Sequence, residues 1–80
     1  MLEITIAPER AYAAYAEGRD GTETCVSNPG TLEQAHADAG EWARECATRY
    51  LAGDAVRARA GWELYDGARY LGYVRARRYR

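Results

Sequence analysis

Thr31–Tyr50 reads TLEQAHADAGEWARECATRY, and this stretch decides the fold. Thr31 is an N-cap residue, and Gln34 three positions later completes a capping box, so two orphan donors of the first turn find acceptors. The cap contributes ~1 kcal/mol. Apolar side chains recur at Leu32, Ala35, Ala39, Trp42, Ala43, Cys46 and Tyr50, one helical stripe that ends near Gly53. The opposite face carries Glu33, Asp38, Glu41 and Glu45, with Arg44 and Arg49 as partial counterweights. A helix with one apolar stripe needs a second layer to cover it, and the flanking segments must supply that layer.

Upstream, Leu2-Glu3-Ile4-Thr5-Ile6 alternates apolar and polar residues. This predicts a strand with Leu2, Ile4 and Ile6 on the core face, ended by Pro8. Residues 9–17, ERAYAAYAE, admit two readings. A short helix would place Pro8 at its first position, Glu9 in its first turn and Gly18 at its cap. A strand would pair back onto strand one, with Tyr12, Ala14 and Ala16 on one face and Ala11, Ala13 and Tyr15 on the other. Gly18-Arg19-Asp20-Gly21 is a turn, Thr22–Ser27 reads as a third strand, and Asn28-Pro29-Gly30 turns into the helix.

Downstream, Val56, Ala58, Ala60, Trp62 and Leu64 alternate with Arg57, Arg59, Gly61, Glu63 and Tyr65, and Ala68–Arg77 alternates likewise. These are the arms of a hairpin. A two-residue Asp66-Gly67 loop would mix apolar and polar residues on each face. A three-residue Tyr65-Asp66-Gly67 loop pairs Leu64 with Ala68, Trp62 with Tyr70, Glu63 with Arg69 and Arg59 with Tyr73, which separates them. Its outer face shows Arg57, Arg59, Arg69, Arg75 and Arg77 around Tyr73 and Leu71. Trp62 then faces Trp42 across the helix–sheet interface. The predicted order is ββ(β)αββ: an α+β domain over residues 1–80, a small antiparallel sheet with one long helix packed across one face.

Charge is sorted along the chain. Residues 1–45 hold nine acids and three arginines, a net of −6, and residues 46–80 hold three acids and eight arginines, a net of +5. In a small domain the two halves are expected to form one acidic and one basic face, which steer charged partners. Every basic residue apart from His36 is arginine, and the aromatic residues are seven Tyr and two Trp, so ring contacts must carry much of the core. With 48% apolar residues the chain is not a disordered segment.

Little here can carry catalysis. His36 has no second histidine, cysteine or carboxylate at ligand spacing and no nucleophile motif beside it. Ser27 lies in no GxSxG turn, and Gly18, Gly21 and Gly30 form no phosphate-binding pattern. Cys25 and Cys46, 21 positions apart, match neither a metal site nor a redox pair, and read as reduced thiols, with a strand-to-helix or intermolecular disulfide as the alternative. The expectation is therefore a protein that is not an enzyme and takes no cofactor or metal. The chain has no run of roughly 20 apolar residues for a membrane span and no leader pattern at Met1, so a cytoplasmic location is expected.

Cys25-Val26-Ser27-Asn28-Pro29-Gly30-Thr31-Leu32-Glu33-Gln34-Ala35, followed by Ala37-Asp38-Ala39, resembles the HicB antitoxin family. In that family a strand ending in a Cys-Val-Ser-like triplet leads through a Gly turn into a Thr-Leu-Glu-Glu-Ala helix start. Ile4-Thr5-Ile6-Ala7-Pro8-Glu9 and Tyr12-Ala13-Ala14-Tyr15 look like its first two strands. The resemblance covers roughly residues 2–48 and favours the strand reading of 10–17. It implies a partly degenerate double-stranded-RNA-binding-like fold that binds and blocks a toxin. The family usually continues into a DNA-binding module, where this chain has its Arg-rich hairpin. In size, layout, sorted charge and absence of chemistry the chain also resembles phage anti-CRISPR proteins, notably inhibitors of type I systems. That resemblance implies docking on the Cascade surveillance complex in the host cytoplasm, so that target DNA is kept out.

Three expectations about binding follow. The acidic helix face (Glu33, Asp38, Glu41, Glu45), on the side opposite Trp42 and Cys46, docks onto a basic, nucleic-acid-binding surface of a protein partner. The hairpin face (Arg57, Arg59, Arg69, Tyr73, Arg75, Arg77) is the second candidate surface. It could take phosphate through arginine and an unpaired base through tyrosine, which keeps a small RNA- or DNA-binding module as an alternative. No membrane partner is expected.

Overall fold

A computed structural model describes residues 11–80. Five strands and one helix follow in the order β1 (Tyr12–Gly18), β2 (Glu23–Cys25), α1 (Leu32–Tyr50), β3 (Val56–Arg57), β4 (Gly61–Asp66) and β5 (Arg69–Arg78). The strands form one antiparallel sheet in the order β2-β1-β5-β4-β3, with α1 packed across one face. This is the α+β arrangement read from the sequence. The strand expected at residues 2–6 lies outside the described residues. Among residues 12–18 the strand reading is the one realised, and both edges of β1 are taken, by β2 and β5.

The helix begins where its cap places it: the Thr31 hydroxyl accepts the Gln34 backbone N–H at 2.9 Å. It ends earlier than Gly53, at Tyr50, with the Leu51 N–H donating to the Ala47 carbonyl. The residues it buries are Ala35, Ala39, Gly40, Ala43 and Ala47. Of these, Ala39 and Ala43 form the core with Ala14, Trp62, Leu64 and Val74 of the sheet, with Ala16, Val26, Trp42, Cys46, Leu51, Ala55 and Leu71 packed around them. Small residues on both layers bring helix and sheet close. At Gly40 even a methyl group would collide, because a Cβ there would lie 2.6 Å from Trp62 Cζ2.

The C-terminal third departs from the predicted hairpin in three ways. The first arm is not continuous. It breaks after Arg57 and folds back, with the Ala58 N–H donating to the Gly61 carbonyl, so that β3 pairs with β4 through Val56–Glu63 and Arg57–Trp62. The β4–β5 turn is a two-residue Gly67-Ala68 loop closed by the Asp66–Arg69 pair, with Gly67 at φ +64 in its first position, the Gly-first pattern of a type II′ hairpin. The register then shifts: Tyr65 pairs with Tyr70 but Leu64 with Gly72, leaving Leu71 as the extra residue of a β-bulge. Beyond it Trp62 pairs with Val74 and Glu63 with Tyr73. The bulge restores the face separation that a three-residue loop predicts, but by another route. Tyr70 is turned to the outer face beside Tyr65, and Leu71 packs on the core.

β2 is joined to β1 partly by a side chain. The Val26 N–H donates to the Ala14 carbonyl, and the Ala14 N–H donates to Ser27 Oγ at 2.8 Å, where a strand partner's carbonyl would normally sit. Among the described residues no helix is long and apolar enough to cross a membrane.

Candidate functional site

At 100° per residue, Ala35, Ala39, Ala43 and Ala47 point α1 at the sheet, and the two flanks of the helix differ. On one flank Trp42 stands half-buried at the margin of the core. Asp38 one turn before it, Glu41 beside it and Glu45 one turn after it line an open groove of about 250 Å³, closed on the far side by Val26, Ser27 and Asn28 of the β2–α1 connection. The groove continues along Trp42 and Glu45 to Cys46, Arg49 and Tyr50, whose side chain is 75% exposed. The expected separation of the acids from Trp42 is therefore overturned. Three of the four carboxylates stand around the indole, because 38, 42 and 45 share a helix flank. Glu33 is exposed in the first turn and does not line the groove.

The charges in the groove are only partly matched. Asp38 Oδ1 accepts from the neutral Gln34 side chain at 3.0 Å, and Glu45 pairs with Arg49 at 3.1 Å in an exposed i,i+4 bridge worth a few tenths of a kcal/mol. Glu41 has no ion-pair partner among the described residues. Burial pushes the Cys46 thiol above its ordinary pKa, so the sulfur facing the groove is neutral at physiological pH.

The second candidate surface is not assembled as expected. Arg57, paired with Trp62, lies on the helix side of the sheet with its guanidinium 4.8 Å from the indole centroid. Arg59 is exposed in the turn between β3 and β4, and Arg69 is exposed beside the hairpin loop. Only Tyr73, Arg75 and Arg77 share the outer face, and they share it with acids. Glu17, Tyr73 and Glu63 form one cross-strand row, with Glu23 extending it onto β2. Arg77 binds Glu23 Oε2 at 2.6 Å, and Arg80 binds Oε1 of the same carboxylate at 3.0 Å. Arg77 also lies 5.8 Å from the Tyr15 ring, whose hydroxyl accepts the Arg80 backbone N–H. Arg77 and Arg80 thus cover part of Tyr15, which is buried on the face of the sheet opposite α1. The outer face is thus mixed in charge, with Arg77 and Arg80 both paired to Glu23, and is not a basic platform.

Trp62 is also placed differently from expectation. It meets α1 at His36, Ala37, Gly40 and Arg44, while Trp42 lies on the other flank, so the two indoles do not face each other. Sequence reasoning missed Trp42 and the Val26–Asn28 wall as parts of a site. The i+4 and i+3 spacing of Asp38, Trp42 and Glu45 was the signal that could have found the first. The wall depends on the β1–β2 register and left no local signal. No protein-family model, curated protein or solved structure matches this chain.

Proposed function

We propose that this protein is a non-enzymatic inhibitory binder that docks its acidic Trp42 groove onto a basic, nucleic-acid-binding surface of a protein partner. One observation carries the reading: an accessible indole ringed by Asp38, Glu41 and Glu45 in a concave surface. An aromatic anchor supplies contact area and a face for cations. The carboxylates supply complementarity to the arginines and lysines that line nucleic-acid channels. The outer sheet face supports the competing nucleic-acid reading less well, because Arg77 and Arg80 already bind Glu23, and Glu17 and Glu63 flank Tyr73.

Within this class, the DNA path of a type I CRISPR surveillance complex is the partner we put first, on size, layout and charge. The toxin partner of a HicB-like antitoxin is the second. Reversing Asp38, Glu41 and Glu45 together to Lys tests the site. These side chains are on the surface flank, so the circular dichroism spectrum should stay native while association with the partner and inhibition are lost. Reversing Arg75 and Arg77 to Glu should have the smaller effect on association. If the arginine reversal abolishes binding and the acid reversal does not, the outer sheet face is the working surface, and direct nucleic-acid binding replaces this reading.

A further inference from the structure

The other flank of α1 holds a second concavity with the opposite chemistry. His36, Ala37, Gly40 and Arg44 of the helix face Arg57 and Trp62 of the sheet across a pocket of about 260 Å³. Its construction follows from three local features. The fold-back after Arg57 carries that residue to the helix side of the sheet and lays it over the indole at 4.8 Å. Gly40, without a side chain, lets the indole edge come up against the helix backbone. Arg44, one turn on, brings Nη1 to within 3.1 Å of where a Gly40 Cβ would stand, at the same indole edge. His36 closes the pocket one turn before.

Two guanidiniums and an imidazole thus line one pocket, and among the described residues no carboxylate lines it. Among the described residues neither Arg44 nor Arg57 makes an ion pair, which is also true of Arg19, Arg59, Arg69, Arg75 and Arg78, so both forks are available to a ligand. Bringing like charges together raises the energy of the empty site, and an anion between them reverses the sign of that term. Guanidinium forks match the oxygens of a tetrahedral oxyanion through paired N–H donors. Trp62, 8% exposed, gives a rigid floor against which Arg57 is stacked and pre-oriented.

We infer that this pocket is a phosphate-binding site, formed by Arg44 and Arg57 as the two forks and His36 as a third donor. The phosphate is either a free or small-molecule phosphate or a phosphodiester of a nucleic acid strand. The site lies apart from the Trp42 groove and does not depend on that groove's partner.

The test is a nuclear magnetic resonance titration at constant ionic strength, with inorganic phosphate replacing chloride, and in parallel with a single-stranded oligoadenylate. The expected result is a saturable, millimolar shift confined to Gly40, Arg44, Arg57 and the Trp62 indole. Arg44→Gln and Arg57→Gln should each weaken it about tenfold. Arg49→Gln, on the other flank, should leave it unchanged, and the thermal melt of each variant shows that it is folded. An oligoadenylate bound more tightly than phosphate, with the same arginine dependence, assigns the source to a nucleic acid backbone. Equal or weaker binding assigns it to small phosphates. Absence of a saturable shift with either probe, or an Arg49→Gln variant weakened as much as the other two, overturns the proposal.

Discussion

Gly40 and Trp62 touch so closely that helix and sheet are fixed against each other at this point: a Cβ on Gly40 would lie 2.6 Å and 2.8 Å from two ring carbons of the indole. Gly in mid-helix gives up roughly 1 kcal/mol of helix propensity relative to Ala. The contact outweighs that gain, since the ring it would displace is packed in the core. Overpacking of this kind costs about 1–3 kcal/mol and can exceed that range when a rigid ring must move. Gly40→Ala should therefore lower the urea midpoint. A variant more stable than the parent would show that the indole is not seated on Gly40.

The two tryptophans should respond unequally to truncation. Trp62 is buried at 8% exposure in the centre of the interface, so Trp62→Ala should cost ~3–5 kcal/mol, much of a small domain's stability. Trp42 is half-buried on the groove margin, so Trp42→Ala should cost roughly half as much, since less apolar area leaves water on folding. Equal losses in denaturant titrations would contradict the placement of Trp42 on an exposed flank.

These two residues also show how far the sequence could be read. The cap at Thr31 and the alanine stripe are local patterns that became the helix they predict, and the alternation of Trp62, Leu64 and Val74 put these three residues on the core face. Trp42 and Trp62 both belong to apolar patterns, yet which flank of α1 each occupies depends on where Gly40 lets the sheet approach. That is a packing outcome. The bulge at Leu71 and the fold-back after Arg57 are likewise set by long-range pairing. Both apolar–polar alternation and a one-residue shift followed by a bulge satisfy the same binary pattern. The alternation therefore places Arg57 on the outer face while the fold-back carries it to the helix side, and the β1–β5 pairing sets Glu17 of the acidic half beside Tyr73 of the arginine-rich half on one face.

Ser27 offers a test of the β1–β2 edge. Its hydroxyl is the acceptor for the Ala14 N–H, and Ala14 is fully buried. Ser27→Ala leaves a buried donor unpaired, a loss of about 1–3 kcal/mol. Hydrogen exchange at the Ala14 amide should accelerate more than at its neighbours on β1. Unchanged protection there would mean that water or another acceptor takes the place of Ser27 Oγ.

The cysteines should differ in reactivity. Cys25 is exposed, whereas burial raises the Cys46 pKa above 9.0 and lowers its thiolate fraction. Iodoacetamide at about pH 8 should label Cys25 first, as read by intact mass. The linkage sign follows from the same shift. A thiol whose pKa is raised on folding ionises first in the unfolded chain, so its contribution is constant below the unfolded value and falls as pH rises above about 9. Cys46→Ser should flatten that part of the stability profile.

The acidic groove should separate association from dissociation. Asp38, Glu41 and Glu45 form the charged surround, with Glu41 and Glu45 exposed, and Trp42 is the half-buried ring among them. Rim charges act over distance and guide encounter, while a central aromatic ring holds the complex once formed. Neutralising Glu41 and Glu45 to Gln should therefore lower the association rate and leave dissociation nearly unchanged. Trp42→Ala should do the reverse, as measured by surface plasmon resonance on the purified partner. Raising the ionic strength from about 0.1 M to about 1 M shortens the Debye length from about 10 Å to about 3 Å. That change should slow association of the parent protein steeply, and slow the Glu41→Gln, Glu45→Gln double variant much less. An association rate independent of salt in the parent would show that the carboxylates do not meet a basic surface, and the groove would then bind through the indole alone.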